Sequence, residues 1–245
     1  MSMELYQQFR EAVEVEQLVA QATVIAGSEI GQKLLIWPDG TVAGSLATTA
    51  LGQAITDRTV QALQEQRAAR FTLSSPDGGE IEVFADVYVP PLKLIVVGAV
   101  HMAIPLVQFA NTLGFHTVVV DARGAFATPE RFPHADELII RWPADALSEM
   151  TLNEATYLVV LTHDAKIDNP ALLLALAKPI RYIGALGSRK THAKRVAALQ
   201  ELGATEEQLA RIHAPIGLYL GGRGPEEIAV SIIAEIVAVK NGVDK

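Results

Sequence analysis

The chain has 245 residues, half of them hydrophobic and 20% charged, with a formal net charge of −8 and a pI near 5.3. That composition sustains an ordered core and excludes extended disorder, and its acidic balance argues against a general nucleic-acid binder, which needs a broad basic face to neutralise phosphate. The zero cysteine count removes disulfides, thiolate catalysis and sulfur-ligated metals together, no apolar run is long enough for a bilayer, and the start, "MSMELYQQFREAVEVEQ", lacks a signal-peptide pattern, so a cytoplasmic protein without membrane contact is expected.

Residues 4–20 read as a helix, with Leu5, Phe9, Ala12, Val13 and the stretch Val15 to Val19 near helical spacing. "ATVIAG" (22–27) and "QKLLIWPDGTVAGSL" (32–46) read as strands, the latter folded about a Pro-Asp-Gly turn at 38–40. "TTALGQAITDRTVQALQEQ" (48–66) reads as a second helix with a threonine available as N-cap. "RFTLSSPDGGEIEVFADVYV" (70–89) reads as a hairpin around Asp77-Gly78-Gly79. Residues 1–90 are thus expected to form a small α+β domain with short antiparallel strands.

Paired prolines at 90 and 91 make a stiff connection, and the pattern then changes. "LKLIVVG", "HTVVVD", "ELIIR", "TYLVVLT" and "RYIGAL" are continuous apolar runs separated by helical stretches. Unbroken Val/Ile/Leu strands alternating with helices predict a parallel sheet covered on both faces. "PEEIAVSIIAEIVAVKNG" closes the chain as a helix with proline in its first turn and glycine past its end. Residues 91–245 are expected to be a doubly wound α/β domain of the Rossmann type.

Gly98, Val100 and Ala103 occupy the three positions of a Gly-x-Gly-x-x-Gly turn. Gly98 keeps the tight turn and Ala103 is an accepted third residue. Val100 should project where phosphate oxygens would meet backbone N–H groups, although the helix start still offers those groups and a positive dipole end. Asp121 closes the next strand, 23 residues after Gly98, close to the place of a ribose-binding acid, and Arg123 beside it leaves both NAD and NADP open. A retained nucleotide site and a plain strand–helix turn carry equal weight here.

Thr162, His163 and Asp164 should lie at the carboxyl end of their strand, the edge where open α/β sheets bind ligands. They are expected to contact ligand rather than catalyse, the bland reading being that Asp164 caps a helix. Arg189, Lys190, His192, Lys194 and Arg195 crowd into seven residues after Gly187 and Ser188. A helix start, a Ser188 cap and these cations would converge on one anion, with Arg189 the leading phosphate contact. The alternative is a solvated outer face. Gly217, Gly221, Gly222 and Gly224 precede the last helix, whose positive end Glu226 and Glu227 already occupy, so this loop is read as a close approach to ligand with Arg223 reaching in.

Seven stretches in this order resemble the XdhC/CoxI family of molybdenum-enzyme maturation factors. They are Gly98-Ala99-x-His101, Val119 to Arg123, "PERFPHADE" (129–137), Thr162-His163-Asp164, "YIGALGSRK" (182–190), "ARIHAPIGL" (210–218) and "GRGPEEIAVSIIAEI" (222–236). The resemblance implies an accessory protein that binds molybdenum cofactor (molybdopterin), protects it during sulfuration and delivers it to a xanthine dehydrogenase-type molybdenum hydroxylase apoenzyme. It also implies a cysteine desulfurase as partner, no catalytic residue and no resident metal. The family's segment Gly-Ser-x-x-Gly-Gly-Cys-Val-Glu reads here Gly44-Ser45-Leu46-Ala47-Thr48-Thr49-Ala50-Leu51-Gly52, so its cysteine falls at Ala50 and its acid at Gly52. Its Gly-Ala-Gly-His has become Gly98-Ala99-Val100-His101.

Two other readings stand beside that one. The first is an NAD(P)-dependent oxidoreductase with His163 or His101 as acid/base. The second is a regulatory or partner-binding remnant with weak ligand affinity. The apolar last helix and the N-terminal domain offer surface for a homodimer.

Overall fold

The computed structural model describes residues 2–74 and 78–243. The chain divides into two compact units, Met1–Pro90 and Pro91–Lys245.

In the N-terminal unit, helix α1 (Met3–Glu14) precedes strands β1 (Val19–Ala26), β2 (Lys33–Ile36) and β3 (Val42–Gly44), then helix α2 (Ala50–Gln64) and strands β4 (Ala69–Ser74) and β5 (Glu80–Tyr88). The five strands form an antiparallel sheet in the order β3-β2-β1-β5-β4. Asp77 of the β4–β5 turn lies outside the described residues. The helix expected over 4–20 ends early. Glu16 takes φ +52° and the Gln17 N–H returns to the Ala12 carbonyl, which reverses the chain. Val19 and Ala20 are then fully buried and paired with Tyr88 and Val87. Long-range pairing of β-branched residues outweighs local helical spacing there.

Helix α2 begins where a cap was expected, with the Thr49 hydroxyl accepting from the Gly52 N–H at 2.9 Å. Its Leu51, Ile55 and Leu63 pack with Leu34, Ile36 and Val83 to form this unit's core.

The C-terminal unit contains β6 (Lys93–Val97), α3 (Ala103–Thr112), β7 (His116–Val120), β8 (Glu137–Ile139), α4 (Pro143–Glu149), β9 (Thr156–Val160), α5 (Ala165–Leu176), β10 (Tyr182–Ala185), α6 (Arg189–Glu201), α7 (Glu206–Ala210), β11 (Ile212–His213) and α8 (Pro225–Lys240). All six strands are parallel, in the order β11-β10-β9-β6-β7-β8. Counted from β6, this is the doubly wound 3-2-1-4-5-6 order, whose direction of winding reverses between β6 and β9. Side chains alternate between two cores. Ile95 and Val97 face α4, α5 and α6, while Leu94 and Val96 face α3 and α8. The continuous apolar runs follow from burial on both sides.

Two strands depart from the sequence reading. "ELIIR" supplies only a three-residue edge strand, with Ile140 half exposed, and among the described residues no further strand pairs with its outer side. The sixth strand, β11, is two residues long and too short to leave a pattern. Ala229, Ile232, Ile233 and Ile236 of α8 are buried inside this unit, where α8 packs on α3.

Candidate functional site

Four neighbouring strands, β7, β6, β9 and β10, end at one rim of the C-terminal sheet, and the turns that follow them carry most of the sequence-predicted site residues. The β6 turn holds Gly98, Ala99, Val100 and His101; the β9 turn holds Thr162, His163 and Asp164. The β10 turn holds Gly187, Ser188 and Arg189, and the β7 turn holds Asp121 and Arg123.

The floor of the rim is tight. Gly98 has φ +109°, and a Cβ there would lie 2.8 Å from Thr162 Cγ2 and 3.2 Å from the Thr162 nitrogen. Only glycine lets β6 and β9 close on each other at the reversal point. Val100 is partly buried and packs against the α3/α8 core, so its side chain does not simply stand in the phosphate path as the glycine pattern suggested. His101 is exposed.

Asp121 is 1% exposed, and four donors hold its carboxylate. The Ala99 N–H and Arg123 Nη2 reach Oδ2 at 2.8 and 2.7 Å, and the Arg123 N–H and Nε reach Oδ1, both at 2.9 Å. Burial pushes this carboxyl up, but these hydrogen bonds win and hold it below its ordinary value. The acid that would take ribose hydroxyls is therefore already engaged. Arg123 also feels the charges of Asp164 and Asp168 across the rim.

His163 sits at φ +61°, a left-handed backbone uncommon for a non-glycine residue, and its side chain is exposed. Its neighbours hold it there. The Thr162 hydroxyl donates to Asp168 Oδ1 and accepts from the Asp164 N–H, while Asp164 caps α5 through the Lys166 N–H at 2.9 Å. The capping role read for Asp164 is thus present. Burial pushes the Asp168 carboxyl above its ordinary value, against the Thr162 hydrogen bond and the Arg195 charge.

The basic cluster after Gly187 divides into two populations. Ser188 caps α6, its hydroxyl accepting from the Thr191 N–H at 3.1 Å, and Arg189 and Lys190 are exposed at the helix start. Arg195 turns inward instead. It is 6% exposed, donates from Nη2 to the Leu186 carbonyl at 3.0 Å and lies 3.4 Å from Asp168 Oδ2. The five residues do not converge outward on one anion, because a helix of 3.6 residues per turn places 189 and 195 on different faces.

The last glycine-rich loop follows β11, which runs parallel beside β10 and ends at the same sheet edge. Glu227 accepts from the Arg223 and Gly224 N–H groups at 2.9 and 3.0 Å, so the α8 start is already capped. Gly221 and Arg223 are exposed, and among the described residues this loop makes no hydrogen bond to the Gly98, Thr162 or Gly187 turns. Gly217 is pinned from below, its N–H donating to Glu235 Oε2 at 2.7 Å. Glu235, fully buried, also accepts from the Tyr182 hydroxyl at 2.5 Å and contacts His213 Nδ1 at 3.2 Å.

Sequence reasoning missed Asp168 and Glu235. Each is an acid on the buried face of its helix, beside Ala171 and Leu172 or Ile232 and Ile236. That placement was the available signal, since an unpartnered buried acid is costly.

In the N-terminal unit, Ala50 opens α2 and is exposed. Gly52 is buried, and a Cβ on it would overlap the Leu46 carbonyl. No acid fits at position 52, in the first turn of α2.

Two family models match the chain: the XdhC Rossmann domain over residues 94–236, and the XdhC and CoxI family over residues 12–74. Among curated proteins, the chain is 30% identical over 220 residues to an uncharacterized protein, YqeB, of Escherichia coli K12, covering 85% of this chain and 40% of that one. It is 36% identical over 154 residues to a protein of Bacillus subtilis 168 described as a probable xanthine dehydrogenase component, covering 63% and 44%. It is 37% identical over 100 residues to the molybdenum cofactor insertion chaperone PaoD of Escherichia coli K12, covering 40% and 30%. The chain thus spans less than half the length of these relatives. A solved structure described as a xanthine dehydrogenase from Bacillus halodurans superposes with a TM-score of 0.57 at 25% identity, covering 98% of this chain and 96% of that one.

Proposed function

The chain belongs to the XdhC and CoxI family, and on that premise we propose that it is an accessory factor. It binds the phosphate-bearing molybdenum cofactor on the carboxyl rim of its Rossmann unit and passes it to a xanthine dehydrogenase-type apoenzyme in the cytoplasm. What carries the reading is the meeting of the Gly98, Thr162 and Gly187 turns at one rim, in a chain whose relatives are named for xanthine dehydrogenase and for molybdenum cofactor insertion.

The residues present fit the anionic end of such a cofactor and offer no sulfur ligand to its metal. The α3 and α6 starts carry no acid in their first turns, whereas Asp164 and Asp168 stand at the start of α5, and Glu226 and Glu227 at that of α8. Anions are favoured at uncompensated helix starts, so the α6 start would hold phosphate, whereas at α3 the Ala103 and Ile104 N–H groups already donate to the Val100 and His101 carbonyls and Pro105 has none. Arg189 and Lys190 add charge, and His101 and His163 border the same turns. The cofactor, once installed, supplies the redox chemistry of the client enzyme. The chain's own groups bind, orient and release. A cysteine desulfurase as sulfur donor belongs to the same reading. A nicotinamide-dependent oxidoreductase is disfavoured by the filled hydrogen-bonding capacity of Asp121.

The test is native mass spectrometry of protein purified from a host that makes the cofactor, followed by mixing with cofactor-free xanthine dehydrogenase-type apoenzyme. A pterin carried by the chain and regained client activity are expected. A chain that carries no pterin and restores nothing would sink the reading.

A further inference from the structure

Arg195 has one donor that the protein does not use. Its Nη1 is fully buried and has no hydrogen-bond partner among the described residues, whereas Nη2 is held by Leu186 and Asp168. A buried donor left unmatched is costly, the more so on a charged group, so a site that keeps one invites a reason.

That atom lies close to the turn that opens α6. Gly187, at φ +146°, immediately precedes the Ser188 cap, and a Cβ built on it would stand 3.8 Å from Nη1. The guanidinium therefore lies directly behind the turn that opens α6. This helix has 13 residues and no acid in its first turn. Its first N–H groups have no intrahelical partner, and Arg189 and Lys190 are exposed beside them. One helical turn before Arg195, His192 Nδ1 is also buried and unpartnered. Burial and the Arg195 charge hold that imidazole below its ordinary pKa, in keeping with a positive field behind the turn.

We propose that the Gly187–Lys190 start of α6, backed by the buried Arg195 guanidinium, is a subsite for a phosphate or diphosphate group. The backbone N–H groups of Arg189 and Lys190 take the oxygens. Arg195 is a positioning residue: its anchored charge raises the positive potential at the turn from behind, in a low dielectric where it is weakly screened. Asp168 holds the guanidinium at 3.4 Å without meeting Nη1, so the charge is fixed in place yet incompletely neutralised. Arg189, the residue singled out by sequence, supplies exposed charge at the entrance, while Arg195 sets the affinity.

This deepens the proposed function and rests on it only for the identity of the cargo. The probes are inorganic pyrophosphate and, separately, inorganic phosphate, titrated calorimetrically into the full chain at low salt. Wild type is expected to bind one or both, with the stronger of the two telling a diphosphate site from a monophosphate site. R195M should weaken binding about tenfold or more, and R195K should recover most of it, with thermal unfolding followed for both. If R195M does not fold, R189E/K190E, which changes only exposed side chains, replaces it and should abolish binding. Folded R195M with undiminished affinity, undiminished binding by R189E/K190E, or a wild type that binds neither anion, would overturn the subsite. Should pterin still travel with a chain that ignores both anions, the subsite fails while the maturation reading stands; anion binding without pterin gives the reverse.

Discussion

The guanidinium of Arg123 clamps the carboxylate of Asp121 at 2.7 and 2.9 Å, and the backbone N–H groups of Ala99 and Arg123 fill the remaining acceptor sites. A carboxylate offers about four lone-pair sites, and all are taken. Replacing Arg123 with alanine frees two of them next to the Gly98 turn. The R123A chain is therefore expected to bind NADH more tightly than wild type in a fluorescence titration. Equal affinity would show that the clamp is not what excludes a ribose diol.

Asp121 and His192 both contribute to the loss of stability in acid. Each has a folded-state pKa below its unfolded value. For Asp121, hydrogen bonds from Arg123 and Ala99 overcome burial; for His192, burial leads and the Arg195 charge adds to it. The stabilisation is present above the unfolded values of 6.5 for histidine and 3.8 for aspartate, and is lost as pH falls below each. Asp168, shifted upward by burial, acts in the opposite sense, because its folded form gains a proton first. Urea midpoints should fall in two steps on acidification. H192Q should flatten the fall below pH 6.5, and D121N should lessen the lower one, to which other hydrogen-bonded carboxylates such as Asp136 also contribute; an unchanged pH profile for either variant would refute its part.

Gly52 is predicted to be intolerant of any side chain, since a Cβ there overlaps the Leu46 carbonyl. G52A should destabilise the N-terminal unit by about 2–3 kcal/mol, read as a drop in thermal midpoint. A50C, at the exposed first position of α2, should fold normally and present a thiol whose pKa the helix start lowers. A wild-type midpoint for G52A would mean that the segment from Leu46 into the first turn of α2 relaxes more readily than its geometry indicates.

Glu235 gathers the Tyr182 hydroxyl, the Gly217 N–H and His213 at one buried carboxylate. Removing it as E235A strands these groups and should cost about 3 kcal/mol or more. Hydrogen exchange should then quicken at Gly217 and in the loop that projects the fully exposed Tyr219. Unchanged protection at Gly217 would show that Ser231, whose hydroxyl donates to the Leu218 carbonyl, suffices to hold the loop.

Much of this was legible in the sequence, and the residues show where legibility stops. Strands buried on both faces announce themselves because every position is apolar, as in Leu94 to Val97. The caps at Thr49, Asp164 and Ser188 are legible because each acts within three residues of itself. The Asp168–Arg195 pair spans 27 residues, and local pattern made Arg195 one of a surface cluster when the sheet turns it inward. The end of α1 was missed for a related reason: Val19 serves a strand partner, Tyr88, far away in the chain.

The contact between Gly98 and Thr162 leaves no room for even a methyl group between the ends of β6 and β9. Any side chain at position 98 would wedge those two strand ends apart, and the displacement would carry to the turns that follow both, so a single methyl there would reshape two loops at once.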